Sequence, residues 1–449
     1  MLATTTFFDQ AVTAYTNKDY KNAYLLWEKS ANEGNGIAQY NLGVMDANLK
    51  GISTDISLAG KWYRKATENN IPIAYVDLAL LHEIGFGVTK DPEVAFELCA
   101  KAAEAGHILG QHKLGEYYDS GFGVDRDIEK SIYWYKKSSA QGSVGSAGNL
   151  GVIYEEAGDI DNAFLWYEKA VSQDLDVLVK RKNEPFLDDG KTLNNLRGQG
   201  YWVDTSIDPA LSTAQFNIAY LYENTQTKYQ SKEKARYWYE KSALQGHEVA
   251  QYNLAHLYST GAGGEKDDKK ALYWYTTSAE QNYAKAAFNL AGFYKLGRGT
   301  KQDGKKAVSW YKKVSGEYES SAQEQIGVMY YEGTGVKKDK SMALEWFVKA
   351  AKNGLLTSQL NAADLYLDDT LVGFNENKSL YLKRAFYWYH TAALQDSAFA
   401  QNKLGLMHYY GVGIDENKDE ARKWFERAAS NGSDEAQDNL QKFGLSRSE

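Results

Sequence analysis

The stretch Glu248–Tyr283 sets the pattern from which the rest of the chain is read. Ala250, Leu254, Leu257 and Tyr258 fall at i, i+4, i+7 and i+8, an apolar stripe on one side of a helix. Gly261 and Gly263 then break the period, as expected where a helix ends in a left-handed cap. Asp267 and Asp268 stand where a second helix would be capped and matched to its dipole. Ala271, Trp274, Tyr275 and Ala279 form the apolar face of that helix. The pattern predicts helix A, a glycine loop, helix B and a short turn. It also recurs. Trp238, Trp274, Trp310 and Trp346 are each 36 residues apart, Trp388 follows after 42 and Trp424 after 36. Upstream, Trp62 and Trp134 are two such steps apart with Leu98 on the rung between them, and Trp166 comes 32 after Trp134. A fixed period of this length signals stacked copies of one small unit that share a continuous core. The fold class predicted is all-α, a right-handed α-solenoid of about ten to eleven helix-turn-helix repeats.

One helix-A position holds only small residues: Gly43, Gly115, Gly151, Gly327 and Gly405, with Ala219, Ala255 and Ala291 elsewhere. A glycine inside a helix costs roughly 0.5–1 kcal/mol relative to alanine, so its return at one register points to close helix packing. The tryptophans of helix B are expected to fill the complementary space. Each would bury on the order of 150–250 Å², and its truncation would cost about 3–5 kcal/mol.

The units share the pattern A-x-A-Q-x-N-L-G-x-x-Y-x-x-G-x-G-V, followed by A-x-x-W-Y-x-K-A-A-x-x-G, with close matches at Ala38–Gly43, Leu114–Val124, Ala322–Val336 and Gln401–Ile414. On these residues the chain resembles the Sel1-like repeat family, relatives of the tetratricopeptide repeat. The resemblance implies a protein-binding adaptor or scaffold. It also implies an alternative, because some bacterial members are immunity proteins that occlude a secreted toxin. In this register a tetratricopeptide-like unit spans 1–35, with Trp27 one residue out of phase. An N-terminal array of Sel1-like units covers 36–175 and a C-terminal array 212–433. The unit at 144–175 lacks four loop residues, and the unit at 356–397 carries six extra around Thr370–Lys378. Residues 434–449 begin another helix A and read as a polar cap helix. The segment 176–211 breaks the pattern with Pro185, Gly190, Gly198, Gly200 and Pro209, yet Trp202 stands 36 residues from both Trp166 and Trp238. It is either an eroded repeat or an insert.

Composition narrows the function. A net charge of −8, with lysines interleaved among acids, excludes the basic stripe that nucleic-acid binding requires. No stretch reaches 18 consecutive apolar residues, so no membrane span is expected. The opening Met1–Asp9 lacks the features of a secretory signal, and cytoplasmic residence is expected, although signal-independent export would leave the same sequence. Cys99 is the single cysteine and falls on the tyrosine rung of helix B, where it reads as a buried structural thiol.

Two motifs imitate ligand sites. Gly299–Lys306 nearly spells a phosphate-binding loop, but Lys306 stands where a Ser or Thr is needed and no strand precedes it. Asp415–Glu426 imitates a calcium loop, but Glu420 replaces the turn glycine, and helix capping is the better reading. The seven histidines form no metal motif, and His82 and His408 read as core residues. No catalytic, cofactor-binding or metal-binding residue is assigned, and a non-enzyme is expected.

In tetratricopeptide-like superhelices helix A lines the concave face. Superimposing the units points the fifth residue inward: Tyr40, His112, Phe216, Tyr252, Phe288 and Glu324. The ninth position adds Tyr220 and His256, and the twelfth supplies Asp119, Glu223 and Tyr331. The aromatics among these are candidate anchors for a protein partner, with Phe216, Tyr220, Tyr252, His256 and Phe288 as the favoured cluster. The alternative is that such rings pack between neighbouring A helices and expose only an edge.

Overall fold

The computed structural model describes residues 6–47, 57–172, 209–224, 227–372 and 378–445. All the regular structure among them is helical. The chain divides into two compact units, Met1–Gln245 and Gly246–Glu449. In the first, A and B helices alternate as Phe7–Thr16 and Tyr20–Asn32, Gly36–Ala47 and Ser57–Glu68, Pro72–Ile84 and Pro92–Glu104, Ile108–Ser120 and Ile128–Ala140, Val144–Glu156 and Ile160–Val171, then Pro209–Asn224 and Lys232–Leu244. In the second the pairs are Glu248–Thr260 and Asp268–Glu280, Ala284–Leu296 and Gly304–Tyr311, Glu319–Glu332 and Lys340–Lys352, Leu356–Tyr366 and Lys378–Ala393, then Ala398–Tyr410 and Lys418–Ser430, with Asp434–Lys442 last.

The loop chemistry explains the glycines and acids of the repeat. A helices end on left-handed Gly121, Gly261, Gly297, Gly333 and Gly411, a conformation other residues adopt at a cost. The second loop glycine has a different reason. A Cβ on Gly123, Gly299 or Gly413 would stand 2.1, 2.2 or 2.3 Å from the carbonyl oxygen of Pro92, Asp268 or Leu382, in the B helix of the preceding repeat. Next, Asp91, Asp127, Asp267, Asp303, Asp339 and Asn417 cap the B helices with their side chains. Both imitations of ligand loops are accounted for by these joints. Gly299 abuts Asp268 while Asp303 caps Gly304–Tyr311. Asn417 caps Lys418–Ser430, which places Asp419 and Glu420 in its first turn.

The tryptophan ladder is not the innermost one. The residue after it fills the space opposite the small helix-A position. A Cβ on Gly43, Gly115, Gly151, Gly327 or Gly405 would meet the ring of Tyr63, Tyr135, Tyr167, Phe347 or Phe425 at 2.4–2.7 Å. That rung runs Trp27, Tyr63, Cys99, Tyr135, Tyr167, Tyr239 in the first unit and Tyr275, Tyr311, Phe347, Tyr389, Phe425 in the second, all buried. Trp27, out of phase with the tryptophans, is in phase with this rung. Trp62, Trp134, Trp166, Trp238, Trp310 and Trp424 are only half-buried. A lysine three residues on lies over several of them, at 4.5 Å for Lys65 on Trp62 and 3.9 Å for Lys313 on Trp310. These side chains shield the indole while keeping the ammonium in water.

The glutamine of the repeat forms a second ladder. Gln111 Nε2 donates to the Ala103 carbonyl of the preceding B helix at 3.3 Å, while its Oε1 accepts from Gln141 of its own B helix at 2.8 Å. Gln359 repeats both bonds with Ala351 and Gln395, and Gln401 with Ala393 and Asn431. One buried amide thus ties three helices, with both its donor and its acceptor used.

Segment 176–211, apart from Pro209, Ala210 and Leu211, lies outside the described residues, as does most of the insertion near Thr370–Lys378. Leu211 and Ala214 share a core with Val144, Ala147 and Ala170. Phe164 stacks on Tyr229 at 4.1 Å. Helix Pro209–Asn224 therefore packs directly on the Val144–Glu156 and Ile160–Val171 pair.

Candidate partner-binding face

The fifth position of helix A is chiefly a joint. Tyr40 is 1% exposed, its ring lies 5.7 Å from Tyr63, and its hydroxyl donates to Asp77 of the next repeat at 2.9 Å. A partner cannot reach it, which corrects its placement on a binding face. Burial pushes the Asp77 carboxyl up to about 7 against the lowering effect of that hydroxyl. His112 is half-buried, with Nδ1 2.9 Å from Ser146 Oγ in the next A helix and Nε2 3.2 Å from the Glu116 carboxylate. Phe216 leans on Tyr239 at 5.8 Å and on Tyr220 at 6.3 Å. In the second unit Tyr252 packs against Tyr275 and Tyr283, and Phe288 against Tyr311 and Tyr318. Glu324 accepts from the hydroxyls of Thr357 and Ser358 in the next repeat. His112, Tyr252, Phe288 and Glu324 reach toward the next repeat while Phe216 packs within its own, and all five are half-buried.

The ninth and twelfth positions are mixed, with Asp119 and Glu223 half-buried and three rings in solvent. Tyr220 is 45% exposed and Tyr331 44%, and His256 is exposed. Tyr331 carries Lys338 Nζ 5.7 Å from its ring centre. The set therefore falls into His112, Phe216 and Tyr220 in the first unit, and Tyr252, His256, Phe288, Glu324 and Tyr331 in the second.

Two surfaces escaped the sequence reading. On the B helices, Tyr133, Tyr237, Tyr273 and Tyr387 each precede a tryptophan, sit edge-on to it at 4.9–5.1 Å and are more than half exposed. The signal was one apolar residue more than the buried stripe of helix B needs. The other surface is a cavity of about 330 Å³ in the first unit, between A helices of consecutive repeats, with Glu83, Glu116, Asp119, Tyr117, Tyr135 and Val152 among its walls. Its signal was polar: Glu83 and Asp119 share the twelfth position, a row read one residue at a time. Alone, burial would raise the Glu116 carboxyl, but His112 and Lys113 outweigh it and hold the group down at about 2. Lys113 Nζ is 2.8 Å from Glu116 and 3.7 Å from Glu83, and Tyr117 donates to Glu83 at 2.9 Å.

Stacked helix pairs with a shared interior and variable outward rows define an α-solenoid built from tetratricopeptide-like units. The Sel1 repeat model matches eleven segments, at 13–35, 36–71, 72–107, 108–143, 148–175, 212–247, 249–283, 284–313, 320–355, 359–397 and 398–433. The chain belongs to the Sel1 repeat family. Among solved structures it is similar to a protective antigen present in uropathogenic Escherichia coli strains, at 27% identity and a TM-score of 0.62, over 97% of this chain and 86% of that one. A Sel1 repeat protein from Oxalobacter formigenes is 21% identical over 99% and 95% of the two chains, with a TM-score of 0.35. An immunity protein from Pseudomonas aeruginosa is 18% identical over 51% and 85%, with a TM-score of 0.25. No curated protein matches the chain. Among the described residues no helix is long and apolar enough to cross a membrane.

Proposed function

We propose that this chain is a non-enzymatic adaptor that holds a protein partner on the outward rows of its A helices. The supporting observation is Tyr220, Tyr331 and His256, which leave large side chains in solvent beside a core that does not need them. Such aromatics are costly on a bare surface and effective as anchors once a partner excludes water. Cys99, His107 and His247 are committed to structure. Burial pushes the Cys99 thiol up to about 12 and the His107 imidazole down to about 4. His107 and His247 accept from backbone amides at the starts of A helices.

The test is capture of partners by the intact protein from its native cell extract, with stoichiometry read by mass spectrometry. Several substoichiometric proteins of one pathway support the adaptor. A single stoichiometric partner that is toxic alone, bound at about nanomolar strength or tighter, supports a dedicated immunity protein instead. Capture unchanged by Tyr220→Glu and by His256→Glu contradicts the A-helix face.

A further inference from the structure

We infer that the last repeat is an acid-responsive joint, in which a proton on His408 loosens helix Ala398–Tyr410 from helix Lys378–Ala393. His408 is only 7% exposed, and among the described residues no hydrogen-bond partner reaches its Nδ1. Its ring stands edge-on to Phe386 at 5.4 Å, and Phe386 in turn stacks on His390 at 6.1 Å. A neutral imidazole leaves only an uncharged atom unpaired there. The imidazolium is worse placed, because both of its nitrogens carry N–H donors and the buried one brings charge without an acceptor. Ala400, Leu404 and Met407 share a core with Trp388, Tyr389 and Ala392, so a ring that must move disturbs the seam between the two helices.

The other repeats show what is special here. At this register five of them place a cation of helix B over a tyrosine of helix A: Lys130 over Tyr118, Lys234 over Tyr222, Lys270 over Tyr258, Lys306 over Tyr294 and Arg384 over Tyr366, at 5.1–5.7 Å. In the last repeat the tyrosine is His408 and the cation is Glu420. The ring that elsewhere receives a cation can here become one, and the helix-B side chain opposite it is an acceptor. Burial holds the His408 imidazole below its ordinary value of 6.5, and His390 of Lys378–Ala393 acts in the same direction when charged. Glu420 of Lys418–Ser430 opposes them without prevailing. Lys423 holds Glu420 at 2.6 Å and keeps its carboxyl below the usual range, so this acceptor is ionised but engaged elsewhere. On the histidine's own helix, Lys403 lies over Phe399. The unfolded ring therefore takes its proton first as pH falls. The joint's stability is full above about pH 6.5 and declines as pH drops below it. His82 shares the register but not the defect, because its Nδ1 lies 2.9 Å from the Thr89 carbonyl oxygen, an acceptor for the charged ring.

The experiment is hydrogen exchange of the full chain at about pH 7.5 and about pH 5, corrected for intrinsic rates, beside an imidazole NMR titration. Exchange in Ala398–Tyr410 and Lys418–Ser430 is expected to rise severalfold at the lower pH. Ala284–Leu296, where Lys306 covers Tyr294, should show no such rise. His408→Tyr combined with Glu420→Lys, which reinstates the pair of the other repeats, should abolish the rise, and His82→Gln should leave it unchanged. The imidazole resonance assigned to His408 by its loss in His408→Gln should titrate below about 6.5. A His408 that titrates at or above that value overturns the inference, even if the double variant fails to fold. So does a rise that is absent from the wild type, persists in the double variant or disappears in His82→Gln.

Discussion

At the twelfth position of helix A the first unit carries Ala47, Glu83, Asp119, Glu155 and Glu223, whereas the second carries Ser259, Lys295, Tyr331, Leu367 and Tyr409. Beneath these rows the two interiors agree closely. Tyr135 lies on Gly115 in one and Phe425 on Gly405 in the other, each too close for a Cβ between them. Gln111 accepts from Gln141 in one and Gln251 from Gln281 in the other, both at 2.8 Å. Packing therefore holds these inward positions alike in the two units while the twelfth-position row diverges.

The largest expected effect tests the shared interior. Tyr135→Ala and Phe425→Ala should each cost about 3–5 kcal/mol in denaturant unfolding. Trp134→Ala and Trp424→Ala, which remove half-buried rings, should cost clearly less. The reverse order would restore the tryptophans as the central rung.

A second effect separates the units. Asp77 is buried with its carboxyl raised to about 7, so the folded chain holds a proton that the unfolded chain releases in the ordinary carboxylate range, near 4. This group's stability is therefore full below about pH 4 and is lost as pH rises through about 7. At most it amounts to about 4 kcal/mol, from three pKa units at 1.36 kcal/mol each. The second unit has Asn253, Asn289, Gln325, Asn361 and Lys403 at this position. Hydrogen exchange should show protection falling between about pH 4 and 7 in Gly36–Ala47 and Pro72–Ile84 and level above that, with Asp77→Asn flattening the change.

The glutamine ladder should give the smallest of these differences. Gln111→Leu and Gln251→Leu each leave buried partners unsatisfied, and both should cost about 1–3 kcal/mol. Similar values in the two units are expected. A large value in one and none in the other would show that the joints are not equivalent.

The repeat length, the helix pairs and the loop joints were legible in the sequence because each follows from spacing, glycine chemistry and capping acids. Assignment of the core to tryptophan was less secure, since Trp-Tyr pairs put two large residues side by side and periodicity alone does not say which turns inward. The fifth-position aromatics illustrate the same limit. Tyr40 and Tyr252 share a register, yet Tyr40 is sealed by its bond to Asp77 while Tyr252 keeps an edge in solvent. The cavity was less legible still, because its walls come from residues of different repeats and no single unit displays the set.

The central claim is that partners dock on the A-helix rows and not on the exposed tyrosines of the B helices. The most direct measurement is the affinity of a captured partner for four variants: Tyr220→Glu, His256→Glu, Tyr237→Glu and Tyr273→Glu. The account predicts that an A-row variant loses binding at unchanged helicity and melting temperature, while both B-ridge variants bind as the wild type does. Binding lost in Tyr237→Glu or Tyr273→Glu and retained in both A-row variants would contradict it.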